Sequence, residues 1–136
     1  MADRAAERLL ANVPRDKIDY LLFFTQSLEY PLPTTACILQ DRLSLSRRCN
    51  ALDYSHGYTG YIYGLGLAKG LIESEQVQNV LLIMAETYSK YIHPEDHAVR
   101  PLFGDAAMAT LLTGTGAEKD GIYGMKYGQM AQVFNS

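Results

Sequence analysis

Four short apolar runs punctuate the chain, and stretches with helical spacing lie between them. Residues 18–25 (IDYLLFFT) are almost continuously apolar and of strand length, the pattern of a strand covered on both faces. Residues 80–85 (VLLIMA) and 106–112 (AAMATLL) read the same way, and 49–55 (CNALDYS) predicts a shorter strand. The first helix is predicted over 3–11, with Asp3 as its cap and Pro14 as its stop signal. A second is predicted over 34–43: Pro33 suits a first helical turn, and Ala36, Leu39 and Leu43 follow with helical spacing. The stretch 57–72 is the most helical of all. Residues 26–33, 44–48 and 74–78 read as loops or turns, and 88–100 as irregular. Beyond Gly114 the chain is Gly-rich, with no core pattern. Alternating β and α elements with apolar strands predict an α/β layered fold on a mainly parallel sheet.

The helix over 57–72 carries an unusual load of glycine. Gly57, Gly60 and Gly64 fall at i, i+3 and i+7 on one face. Each glycine costs about 1 kcal/mol in a helix interior, so the row needs a reason, and close backbone packing supplies one. A dinucleotide fingerprint from Gly64, Gly66 and Gly70 is disfavoured. Those glycines come late in the helix, whereas a pyrophosphate needs them at its N-terminus. The start of the helix is more informative. A strand runs directly into His56, Gly57, Tyr58, Thr59 and Gly60. Such a turn lies over free amide groups and the positive end of the helix dipole, where a thiol would be activated and an oxyanion stabilised. Tyr58 itself is a poor nucleophile: with a reference pKa near 10, about 0.1% is ionised at pH 7.

The 136 residues predict one domain. Apolar residues make up 48% and charged residues 20%, which excludes a disordered chain. The formal net charge of −3 leaves no electrostatic footprint for nucleic acid or an anionic membrane. The opening MADRAAERLL lacks the apolar core of a signal peptide, and the longest apolar runs are too short to span a bilayer. Cys37 and Cys49 are too few for a disulfide framework and read as reduced thiols, so a cytoplasmic setting is expected. Cys37 and Cys49 are most simply small core residues. His93 and His97 in HPEDH superficially resemble a metal pair. Pro94 disfavours the helix that would align the imidazoles, so a solvated turn and no metal are expected.

Three segments together carry a resemblance: PLPTTACILQDRL (31–43), ALDYSHGYTGYIYGLGLAKGLIES (51–74) and VLLIMAETYSKYIHPEDHAVRPLFGDAAMATLL (80–112). In this order and spacing they resemble the N-terminal half of a β-ketoacyl-acyl-carrier-protein synthase III, collinear from 18 to 112. The resemblance implies one half of a thiolase-like α/β/α/β/α sandwich, hence a single, incomplete domain over 1–136. It implies acyl transfer from coenzyme A to a cysteine, then decarboxylative condensation with malonyl-carrier protein, as in fatty acid biosynthesis. The family's nucleophilic cysteine falls at Tyr58, and the assisting histidine and asparagine come from the family's second half. The chain is therefore expected to be inactive in that reaction. Alternatives are a non-catalytic partner subunit of a ketosynthase-type heterodimer, or a truncated gene product. His56, Tyr58 and Thr59 are pocket candidates. Leu32 matches a position that crosses the dimer interface to close the partner's acyl pocket; its other reading is a buried loop anchor. Gly57, Gly60, Gly64, Asp105 and Glu86 are assigned structural roles, Asp105 on loop amides. The resemblance further implies coenzyme A thioesters and acyl-carrier protein as substrates, no cofactor, and a homodimer or a heterodimer with a ketosynthase paralogue.

Overall fold

A computed structural model describes residues 1–57, 59–115 and 122. Helix α1 (Ala2–Leu9) is followed by a 3-10 turn at Leu10–Asn12 and a second at Arg15–Lys17. Strand β1 (Tyr20–Phe24), helix α2 (Thr35–Arg42), strand β2 (Asn50–Tyr54), helix α3 (Gly60–Glu73) and strand β3 (Asn79–Glu86) follow. A 3-10 turn at Tyr88–Lys90 and strand β4 (Ala106–Thr113) complete the described elements. The first helix is thus shorter than its apolar spacing predicts, closing as a tighter turn. The glycine-bearing helix begins at Gly60, three residues later than expected.

The sheet has the order β2-β1-β3-β4. β1 pairs in parallel with β2 and β3, and β4 runs antiparallel to β3. A parallel return needs a crossover element, usually a helix. The stretch from 87 to 105 has only one 3-10 turn, and the chain comes back antiparallel.

The continuous apolar runs are explained by cover on both faces. Side chains alternate along a strand, so Leu21, Phe23, Leu81 and Ile83 enter one core with Ala6, Ala36, Leu39 and Leu43 of α1, α2 and the residue after it. Leu22, Val80 and Leu82 enter the other with Tyr61, Leu65, Ala68 and Ile72 of α3. The alanines matter because they let two helices lie close to the sheet. At the opposite end from the candidate site, the Asp19 carboxylate accepts the amides of Gln78 (3.0 Å) and Asn79 (2.8 Å), tying the start of β1 to that of β3.

Candidate functional site

The C-terminal ends of β1 and β2 lie side by side, and the chain leaves β2 through 55–57 into α3. Three contacts set the helix there. The buried Phe24 ring lies against Gly60, where an added Cβ would stand 2.2–2.6 Å from three ring carbons. The Tyr54 hydroxyl donates to the Gly60 carbonyl at 2.9 Å, and the Tyr54 ring tilts against Phe24 at 5.4 Å. An added Cβ on Gly64 would stand 2.2 Å from the Tyr54 hydroxyl oxygen and 2.9 Å from Leu82 Cδ1. Gly60 and Gly64 therefore admit β1, β2 and β3 side chains into the helix surface. Burial pushes the Tyr54 phenol up to about 12, so it remains a donor throughout the physiological range.

Gly57 differs from the other two. It precedes the helix, and among the described residues its Cβ position would meet only Gln26 Nε2, at 3.9 Å. Its carbonyl accepts the Gly60 amide at 2.8 Å, closing the turn into α3. His56 lies over this turn. Its Nδ1 is 3.3 Å from both the Thr59 hydroxyl and the Gly57 carbonyl, and its ring stacks on Tyr63 at 4.4 Å. His56, Gly57, Thr59 and Gly60 are thus one cluster. Tyr58 lies outside the described residues.

The other candidates are elsewhere. Leu32, between β1 and α2, is 79% exposed, not the buried loop anchor of its other reading. Asp105 accepts the Ser89 amide (3.0 Å) and hydroxyl (2.7 Å), and these bonds hold its carboxyl below the usual range. His93 and His97 sit in the β3–β4 connection, where His93 Nδ1 accepts the Glu95 amide at 3.3 Å. Among the described residues, no three His, Cys, Asp or Glu side chains are grouped to hold a metal ion.

Cys37 is exposed, which corrects its reading as a core residue; its sulfur accepts the Thr34 hydroxyl at 3.2 Å. Cys49 is buried, and burial pushes its thiol up to about 11. A disulfide-exchange reagent at pH 8 is therefore expected to modify Cys37 in the folded protein. Cys49 should react only on unfolding. Equal rates for the two thiols would contradict this placement.

Two networks were not evident from the residues alone. The Asp53 carboxylate, on β2, accepts the first amides of α2, from Thr35 (2.7 Å) and Ala36 (2.5 Å). Thr34, the local cap position, makes no side-chain cap bond. The one available signal was an acid inside the short strand NALDY. Asp53→Ala should cost about 1–2 kcal/mol in urea unfolding, since it removes a charged cap and leaves two amides without their acceptor. An unchanged midpoint would refute that role. Second, the Glu86 carboxylate accepts the Gln26 amide (2.5 Å) and the Ser27 hydroxyl (2.9 Å). Ser27 Oγ accepts the Thr87 amide at 2.8 Å, so the ends of β1 and β3 are joined beside the cluster.

The fold and the strand-to-helix turn are those of thiolase-like condensing enzymes. Residues 52–130, more than half of the chain, match the family model described as 3-Oxoacyl-[acyl-carrier-protein (ACP)] synthase III. The chain belongs to this family. It is 39% identical over 117 residues to the Beta-ketoacyl-[acyl-carrier-protein] synthase III of Clostridium perfringens (strain 13 / Type A), covering 85% of this chain and 36% of that protein. A crystal structure of 3-oxoacyl-(acyl-carrier protein) synthase from Burkholderia xenovorans LB400 superposes with a TM-score of 0.79 at 42% identity, covering 85% of this chain and 34% of that one. The 3-oxoacyl-[acyl-carrier-protein] synthase III structure from Aquifex aeolicus VF5 gives 0.81 at 33% identity, over 87% and 39%. The chain spans about a third of the length of the relatives it matches.

Proposed function

We propose that this chain supplies the α3 acyl-site frame of a 3-oxoacyl-[acyl-carrier-protein] synthase III-type unit, and that its 136 residues do not by themselves run the condensation. One observation carries the reading: Tyr58 stands at the position where the resemblance places the family's nucleophilic cysteine. A phenol at this position is almost wholly protonated at neutral pH, and losing a covalent nucleophile typically costs several orders of magnitude in rate. The substrate class of the unit is coenzyme A thioesters and acyl-carrier protein, as the family's reaction implies. The setting is cytoplasmic, in keeping with two free thiols and with no described helix long and apolar enough to cross a membrane.

A second reading is favoured by the loop between β1 and α2. Leu32 is exposed there together with Leu28 and Tyr30, three apolar side chains projecting from one segment. In this reading the segment closes a neighbour's acyl pocket, and the chain is a non-catalytic partner subunit.

The test compares the protein with its Tyr58→Cys variant. Radiolabelled acetyl-coenzyme A should leave the protein unlabelled and transfer label to the introduced thiol, because a helix N-terminus favours the thiolate. Neither form should condense label with malonyl-carrier protein. Label mapped to Tyr58 after denaturation, or condensation by the chain alone, would overturn the reading.

A further inference from the structure

On the face of the sheet that α1 and α2 cover, the two helices leave a cleft of about 100 Å³ between them. One wall is a stripe of α2: Thr35, Ile38, Leu39 and Arg42 are spaced i, i+3, i+4 and i+7 on a single helix face. The start of α1 forms the other wall. The floor is Phe23 and Thr25 at the end of β1, with Ala85 and Thr87 at the end of β3. Here the chain reverses its winding. It leaves β1 through α2 to β2 on one side, and returns through α3 to β3 on the other. In open α/β sheets, ligands bind beyond the carboxyl ends of the strands at such a reversal. The cluster of His56, Gly57 and Thr59 is separate from this cleft. It lies at the start of α3, the helix that packs on the opposite face.

The lining has unfilled polar capacity. Thr35 Oγ1 is buried and has no hydrogen-bond partner among the described residues. Such groups are uncommon in folded proteins, because the lost hydration is not replaced. The hydroxyls beside it are taken: Thr25 Oγ1 accepts the Ser27 amide at 3.0 Å, and Ser27 Oγ donates to Glu86 at 2.9 Å. The rim also carries both signs of charge. Asp3 is bonded to the Met1 ammonium at 2.9 Å. Arg42, Lys90 and Glu29 are exposed and form no ion pair among the described residues. Long side chains on a helix lean toward its N-terminus, which carries the Arg42 guanidinium along the stripe toward Thr35. The Asp3 carboxyl is held below its usual range by the Met1 ammonium and the Arg4 amide, with Arg42 adding to them. Below this rim the surface is apolar, from Phe23, Ile38, Leu39 and Ala85. A cavity of about 150 Å³ holds benzene, so this one admits roughly three or four carbon atoms.

We propose that this cleft binds a free amino acid with a small branched apolar side chain. The ligand's carboxylate accepts from the Thr35 hydroxyl and the Arg42 guanidinium, and Lys90 adds to the attraction. Its ammonium group faces Glu29, and its side chain enters the floor against Phe23 and Ala85. A dianion such as a phosphate is disfavoured, because the Asp53 carboxylate already holds the Thr35 amide at 2.7 Å. An acid or an amine with the same side chain satisfies only one of the two signs on the rim. This inference does not rest on the acyl chemistry, and its readout is ligand binding alone.

The test is calorimetric titration of the 136-residue protein with L-valine, beside isobutyrate and isobutylamine. L-valine should bind saturably at millimolar concentration or below, at least about tenfold tighter than either control. Amide and methyl shifts should gather at Phe23, Thr35, Ile38 and Ala85. Thr35→Val should weaken binding at least about tenfold without lowering the unfolding midpoint, because its hydroxyl has no partner among the described residues to lose. Arg42→Gln should weaken it as much, and Arg100→Gln, on the β3–β4 connection, should not. Absence of saturable binding at millimolar concentration would overturn the proposal. So would a control that binds as tightly as valine, shifts centred on α3, or affinity indifferent to Thr35→Val.

Discussion

Gly60→Ala is expected to lower stability by about 3 kcal/mol or more, at the upper end for overpacking a filled site. The added methyl would stand 2.2–2.6 Å from three carbons of the Phe24 ring. Relief by rotation is blocked, because Phe24 is 3% exposed and its ring already lies against Tyr54. The helix would have to lift from the sheet at its first turn, moving the cluster of His56, Gly57 and Thr59 with it. For a domain of this size such a loss lowers the unfolding midpoint by roughly 10 °C. Gly70→Ala is the control: its methyl meets none of the described residues, so it should be neutral or stabilise by up to about 1 kcal/mol through helix propensity. Equal effects at the two positions would show that contact with Phe24 is not what excludes a side chain from Gly60.

The second large effect is a coupling. Gly64→Ala places a methyl 2.2 Å from the Tyr54 hydroxyl oxygen, and a loss of about 3 kcal/mol is expected. Tyr54→Phe alone should cost about 1 kcal/mol, the bond from its hydroxyl to the Gly60 carbonyl. Combined, the two should cost less than their sum by more than 1 kcal/mol, because the second change removes the atom that the methyl strikes. Some cost persists, since Leu82 Cδ1 lies 2.9 Å from the same position. Additive losses in denaturant titrations would mean that Tyr54 and Gly64 are independent.

The strands were legible because burial on both faces leaves a one-dimensional mark. Residues 18–25 are almost continuously apolar and 80–85 wholly so, and each became a central strand with a helix layer on either side. The α3 helix was legible for a similar reason, since Ile62, Leu65, Leu67, Ala68 and Leu71 wrap it widely in apolar side chains. Its first turn was less so. Gly57 reads as one more member of the glycine row, yet the chain there is still turning into the helix, and only the hydrogen bond from Gly60 shows it. Of the pocket candidates, the structure groups His56 with Thr59 through a side-chain contact. It sets Leu32 apart on an exposed loop.

The sequence by itself determined the α/β class, the strand-to-helix turn ahead of α3 and the presence of a tyrosine where the resemblance calls for a cysteine. These follow from local periodicity and from single positions in an ordered motif. The tertiary structure decided the strand order, the reversal of β4, the capping of α2 by Asp53 and the fit of Tyr54 beside Gly64. Alternation along a strand is the same whichever way its neighbour runs, so direction is set by the connection and by packing. Asp53 meets α2 across 17 and 18 residues of chain, and Glu86 meets Gln26 across 60. Polar groups so far apart are matched only when the folded backbone brings a donor to each carboxylate, and no spacing rule along the chain encodes that meeting.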